Sequence, residues 1–422
     1  MKVYLQSLIC DCSQLTTDPR NADTVYNLPD RDELEMQVYS RGSKGLCVLL
    51  LHGGGYSGLT WACMTKQLNS MVEVQVVAPD IRGHGGTRCA QESKVDKATQ
   101  CEDIAALIKL MFGTTPPPVL VVGHSMGGAI AIHLANGPYL ATLAGLVVID
   151  VVEGTAIEAL GHMSTILENR PSIFRSMEYA IEWSIRSHHV RNIEAARVSM
   201  PGQLVTVAEH KRISRTHVCA PSDQTDSQPS GTKPISTSIR KGITGIVEEE
   251  EEEDESAGAS VEGHVSTTPA ADSQTEPIQA QSDKLKDKYD GPALKLGLKA
   301  MKSSVDSSVS DGANGKSSER FVWRTDLLAT EPYWRGWFEG ISHLFLGTSV
   351  AKLLVLGGID RMDTEMSVAH MQGKYQLKVM SSVGHVVHED TPDRVAECLA
   401  EFIVRNRLAT PLDGYKGLRP VV

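Results

Sequence analysis

The sequence predicts the α/β class: a mostly parallel central sheet covered by helices, with a helical cap. Two observations carry that expectation. Short apolar runs alternate with helix-length segments along the first half of the chain, the pattern of strands buried on both faces and joined by crossover helices. One of those runs, Val119, Leu120, Val121 and Val122, leads directly into Gly123, His124, Ser125, Met126 and Gly127. A sharp strand-to-helix turn leaves no room for side chains two residues either side of the serine, so glycine at both places lets the backbone fold back and exposes the Ser125 hydroxyl.

The elements follow in order. Cys47 to Leu51 reads as a buried strand, followed by the glycine loop His52, Gly53, Gly54, Gly55 and a helix around Trp61 to Leu68. Val74 to Ala78 is the next strand, and a helix near Asp96 to Met111 precedes the strand before Ser125. Gly127, Gly128, Ala129 and Ala131 are small enough for the following helix, which runs to about Ala135, to pack closely on the sheet. Leu146 to Ile149 form another strand ending at Asp150. From Thr155 to Met200 the pattern turns helical, with Ile181, Trp183 and Ile185 among mixed charges, which suits a cap over the strand ends. Phe321 to Phe345 is aromatic-rich and is expected to complete that cap. Two final strands, Lys352 to Leu356 and Gln376 to Met380, lead to a closing helix, Pro392 to Arg405.

Between the two halves lies a low-complexity stretch, 204–318, in which Tyr289 is the single aromatic residue. Such a composition cannot bury enough apolar surface to offset its ordering entropy, so a long disordered insertion is expected there. Within it, Leu285 to Met301 is basic with spaced leucines and is a second choice as a helix formed on a partner; plain disorder is the first. The expected organisation is a poorly defined N-terminal segment, 1–35; the first part of the core with the start of the cap, 36–203; the insertion; the end of the cap and second part of the core, 319–408; and a C-terminal tail, 409–422.

Composition narrows the function classes. Hydrophobic residues make up 41% of the 422, enough for a sizeable core, and no apolar run approaches the roughly 20 residues of a membrane span. The N-terminus, MKVYLQSLICDC, is too interrupted for a secretory signal, so a cytosolic or nuclear protein is expected. Eight cysteines show no metal-ligand spacing and read as reduced thiols. The net charge of −11 is local: Glu248 to Glu255 are eight consecutive acids, and without them 41 basic residues face 44 acidic ones. Neither nucleic acid nor membrane is expected as a partner.

A serine hydroxyl is a poor nucleophile until a base takes its proton, so the turn at Ser125 predicts a histidine and an orienting carboxylate downstream. His385, in a loop after the last predicted strand, is the preferred base, with His388 as the fallback. Two acids remain open. Asp150 ends the strand after the serine turn, and Asp360 follows Gly357, Gly358 and Ile359 at the end of the next. Acyl transfer also needs N–H donors aimed at the developing oxyanion, each worth about 3 to 4 kcal/mol in the transition state; the backbone N–H groups of Gly54 and Met126 are the expected pair. His52, His124 and the Asp80, Arg82, Gly83, His84, Gly85 loop read as structural. No cofactor or metal is required.

Together LLLHGGG, APDIRGHGG, VVGHSMGGAIAIHLA, VVIDVVEGTA and VGHVVHED resemble the protein phosphatase methylesterase family of α/β-hydrolases. IEWSIRS, RNIEAARVSM, TEPYWRGWFEG, ISHLFL, GGIDRMD and MQGKYQ extend the likeness over most of residues 36–203 and 319–408. The resemblance implies an α/β-hydrolase fold and hydrolysis of the methyl ester on the C-terminal leucine of the protein phosphatase 2A catalytic subunit. It also implies that the acid lies in IDVVEG, which makes the triad Ser125, Asp150 and His385. The insertion is longer than the family's, and the first 35 residues do not match its N-terminal region. Two other readings are a small-molecule carboxylesterase or lipase with the same triad, and a phosphatase-binding scaffold whose insertion carries recognition.

Overall fold

The computed structural model describes residues 21–216 and 319–415. Ten strands occur among them: β1 Asn21–Leu28, β2 Leu34–Arg41, β3 Leu46–Leu51, β4 Val74–Pro79, β5 Val119–His124, β6 Leu143–Ile149, β7 Leu204–Thr206, β8 Phe321–Trp323, β9 Ala351–Leu356 and β10 Gln376–Val379. Eight form one sheet in the order β1-β2-β4-β3-β5-β6-β9-β10. The pairs β1/β2 and β2/β4 are antiparallel and the rest parallel.

Helices cover both faces because every central strand is apolar on both. Along β3, Leu46, Val48 and Leu50 face a cluster with Trp61, Met64 and Phe402, while Cys47, Leu49 and Leu51 face one with Ile130, Leu134 and Trp337. Each fully buried aliphatic side chain stabilises by roughly 1.5–3 kcal/mol. The first cluster is closed by α1 Ala62–Leu68, and the second by α2 Lys97–Phe112 and α3 Met126–Asn136. The cap holds α4 Glu153–Glu168, α5 Met177–Arg186, α6 Ile193–Gln203 and α7 Val207–Thr216. After β8 come α8 Glu331–Phe338, α9 Ile341–Gly347, α10 Thr364–Met371, α11 Val387–Asp390 and α12 Pro392–Arg405.

Four expectations change. Residues 21–35 are not undefined: all eight residues of β1 pair with β2, and Leu34 is completely buried. The 204–318 boundary also moves. Leu204–Thr206 pairs with Phe321–Trp323, Leu204 and Val205 are buried, and α7 follows. A three-residue strand is too short to show in composition, and its partner lies more than a hundred residues away. The acidic run and the Leu285 to Met301 stretch lie outside the described residues. The aromatic segment divides in two. Phe321 and Trp323 join Phe174, Trp183 and Met200 in the cap, whereas Trp334, Trp337, Phe338, Ile341 and Phe345 pack in the body cluster with α3, whose small residues leave space for large rings. Finally, residues 409–415 are tied back to the body, with Leu412 N donating to Met71 O at 2.8 Å.

Candidate active site

Ser125 sits between β5 and α3 with φ 52° and ψ −121°, a conformation that costs on the order of 1–3 kcal/mol. The packing around it holds the turn. A Cβ on Gly123 would lie 2.2 Å from Gly127 O, and one on Gly127 would lie 2.3 Å from Leu51 O. Ser125 N donates to Ile149 O at 3.1 Å and Asp150 N donates to Val355 O at 2.8 Å, so the ends of three neighbouring strands bring the serine and Asp150 to one edge.

Asp150 has a side chain with no exposed surface, and it gathers three donors. Gly357 N reaches Oδ1 at 2.8 Å, His385 Nδ1 reaches Oδ2 at 2.8 Å, and the Arg361 guanidinium meets the same Oδ2. The acceptor on Asp150 fixes the His385 tautomer as Nδ1–H and leaves Nε2 as the basic nitrogen. Desolvation, and after it the positive charge of Arg361, lower the His385 pKa to about 4. Since 52% of the His385 side chain is exposed, water at the open face weakens the burial contribution. The Ser125 hydroxyl makes no hydrogen bond to His385 among the described residues. Asp360 lies exposed in the 3-10 turn Ile359–Arg361. His388 is fully buried, stacked on Trp61 with ring centroids 4.0 Å apart and 2.9 Å from Thr60 Oγ1.

The glycine loop lies against the serine turn. A Cβ on Gly53 would meet Ser125 Cβ at 3.3 Å, and one on Gly54 would meet Met126 Sδ at 3.8 Å. Met126 opens α3, so its N–H points out of the positive end of the helix. Neither the Gly54 nor the Met126 N–H has a protein acceptor among the described residues. His52 pins the loop: Nδ1–H donates to Gly53 O at 2.8 Å and Nε2 accepts from Ile81 N at 2.9 Å. Burial, chiefly, holds its pKa well below the ordinary value. Asp80 accepts from Gly58 N and Gly86 N at 2.6 and 2.7 Å, and Arg82 grips Asp103 through two nitrogens. That loop is built as a structural support.

The α/β hydrolase family model matches residues 48–237 and 258–398. Protein phosphatase methylesterase 1 of Mus musculus is 39% identical over 384 residues, 91% of this chain and 82% of that protein. The probable protein phosphatase methylesterase 1 of Caenorhabditis elegans is 37% identical over 375 residues, 89% of this chain and 73% of its own. The chain belongs to the protein phosphatase methylesterase family. Among solved structures, E-2-(acetamidomethylene)succinate hydrolase superposes with a TM-score of 0.53 at 13% identity, covering 90% of this chain and 99% of that one. An M. tuberculosis esterase gives 0.52 at 16%, covering 94% and 97%. At such identities these two establish the fold alone.

Two neighbours of the site in this methylesterase-family chain make contacts that the sequence does not announce: Arg361, and His124, which the sequence marks only as a structural residue. Arg361 shares an oxygen of Asp150 with His385. Its one signal is a cation beside Asp360 in a strand-end loop, which nothing in the spacing aims at Asp150. His124 donates from Nε2 to the carbonyl of His385 at 2.9 Å, tying the residue before the serine to the backbone of His385. Desolvation first, then the neighbouring His388 and His385, hold the His124 pKa well below its ordinary value.

Proposed function

We propose that this chain is a serine carboxylesterase that hydrolyses the methyl ester of the C-terminal leucine of the protein phosphatase 2A catalytic subunit, with Ser125, Asp150 and His385 as the triad. The observation that carries the reading is the 2.8 Å contact between His385 Nδ1 and Asp150 Oδ2 at the strand edge that also bears the Ser125 turn. The relatives' name, methylesterase of a protein phosphatase, supports the substrate.

Asp150 holds the imidazole with Nε2 free, and Nε2 removes the Ser125 proton as Oγ attacks the ester carbonyl. The carbonyl electron pair moves to oxygen, where the Gly54 and Met126 N–H groups receive it. Collapse of the tetrahedral adduct breaks the carbon–methoxy bond, and the imidazolium gives its proton to the departing methoxide. Water, deprotonated by His385, then attacks the acyl-serine, and the leucine carboxylate leaves as Ser125 recovers its proton.

The test measures methanol release from methylated phosphatase, and in parallel hydrolysis of a generic acyl ester and labelling by a fluorophosphonate probe. Ser125→Ala is expected to lower turnover by roughly 10⁴-fold or more, since triad members act as a unit, and to abolish labelling. Equal labelling of the variant would refute the nucleophile. Ser125-dependent cleavage of the generic ester without release from the phosphatase would point to a small-molecule esterase. Phosphatase binding without any hydrolysis would point to a scaffold.

A further inference from the structure

The segment that returns from the insertion is fastened to the body two residues before it reaches the glycine loop. Arg324, 5% exposed, donates from Nε to Gly85 O at 3.0 Å and from Nη2 to Thr87 O at 2.9 Å, and it pairs with both carboxylate oxygens of Glu92. Thr325 Oγ1 donates to Gly83 O at 2.9 Å. Beyond them, Leu327 O accepts from Thr330 N and Thr330 Oγ1 at 3.0 and 2.7 Å, which fixes the backbone in a tight turn. The Leu327 isobutyl group therefore rests on the glycine loop. A Cβ on Gly54 would lie 3.4 Å from Leu327 Cδ2, and one on Gly55 3.0 Å from Cδ1.

We propose that Leu327 is a specificity-determining residue, the apolar wall of the acyl site, which selects esters whose acyl part carries a medium-sized aliphatic group such as a leucine side chain. This inference rests on the triad and oxyanion reading above. The leaving alcohol has to lie within reach of His385, which protonates it, and the carbonyl oxygen lies between Gly54 N and Met126 N. The remaining substituent, the acyl chain, then runs beside the glycine loop, where Leu327 and Met126 Sδ present apolar surface. A wall of this kind discriminates by about tenfold per methylene or more. It is delivered by the strand that follows the insertion, and Arg324 and Thr325 set its position.

The full chain is assayed on p-nitrophenyl acetate, butyrate and octanoate. Leu327→Ala is expected to raise the octanoate-to-acetate ratio of kcat/KM about tenfold, and Leu327→Trp to lower it about tenfold. Thermal stability is followed in parallel, and Leu327→Val carries the same comparison if the larger changes unfold the chain. A purely structural role would change all three esters alike. Ratios equal to wild type in folded, Ser125-dependent variants overturn the inference and leave the function standing. Hydrolysis that persists in Ser125→Ala overturns the function, and the inference falls with it.

Discussion

Replacing Arg361 by Met should move the acid limb of the kcat/KM pH profile upward. Arg361 and His385 meet the same Asp150 oxygen, and two unit charges about 4 Å apart interact by about 4 kcal/mol at an effective dielectric of 20 and about 1 kcal/mol in water. Half of the His385 side chain is exposed, so the value near the aqueous limit applies, and that corresponds to about half to one pH unit. The positive charge disfavours the imidazolium, so it lowers the pKa of the base, and removing it raises that pKa. In the proposed mechanism only the neutral imidazole accepts the Ser125 proton. The variant should therefore lose activity relative to wild type between about pH 4 and pH 5 and approach it above about pH 6, since the base must be deprotonated to act. The assay is hydrolysis of a small acyl ester across that range, with Arg361→Lys as the control that keeps the charge and the wild-type profile. An unmoved limb in Arg361→Met, or a shift to lower pH, would refute the electrostatic argument.

Asp150→Asn should lower kcat by on the order of 10⁴ through loss of the imidazole tautomer, with Asp360→Asn changing it far less; steady-state kinetics with the reverse ranking would return the acid to Asp360. Residues 217–318 should be replaceable by about ten Gly/Ser residues, because a ten-residue helix such as α7 ends about 15 Å from its start and a flexible linker spans that gap. Melting temperature and small-ester turnover should stay close to wild type, whereas deletion from residue 204 should destabilise the fold by removing buried Leu204 and Val205; equal melting of the two deletions would contradict the β7/β8 pairing argument. Glu389 is buried between Thr60 and Ser199, and desolvation pushes its pKa from 4.5 to about 8. The folded state therefore holds a proton that the unfolded chain releases across that window, and stability falls as pH rises through it. Glu389→Gln stays neutral, so its melting temperature should gain on wild type from about pH 5 to pH 8; a constant gap in a thermal-shift series would count against it.

The local geometry at Ser125 was legible in the sequence because it is a short-range steric problem. A strand, a turn with glycine on either side of a serine and a helix of small residues can close in few ways, and the contacts that Cβ atoms would make at Gly123 and Gly127 show why. The alternation of buried strands and helices was legible for a similar reason, since a strand covered on both faces must be apolar at every position. The choice between Asp150 and Asp360 was not legible in the local pattern, and only the family resemblance pointed to Asp150. Both end a parallel strand on the same edge, and which one meets His385 depends on loop paths that no local pattern encodes. Arg361 at Asp150, the bond from His124 to the carbonyl of His385, the β7/β8 pair closing across the insertion and Leu327 over the glycine loop belong to the same class. Each joins residues far apart in the chain, and composition and periodicity report only on near neighbours, so tertiary packing alone decided them.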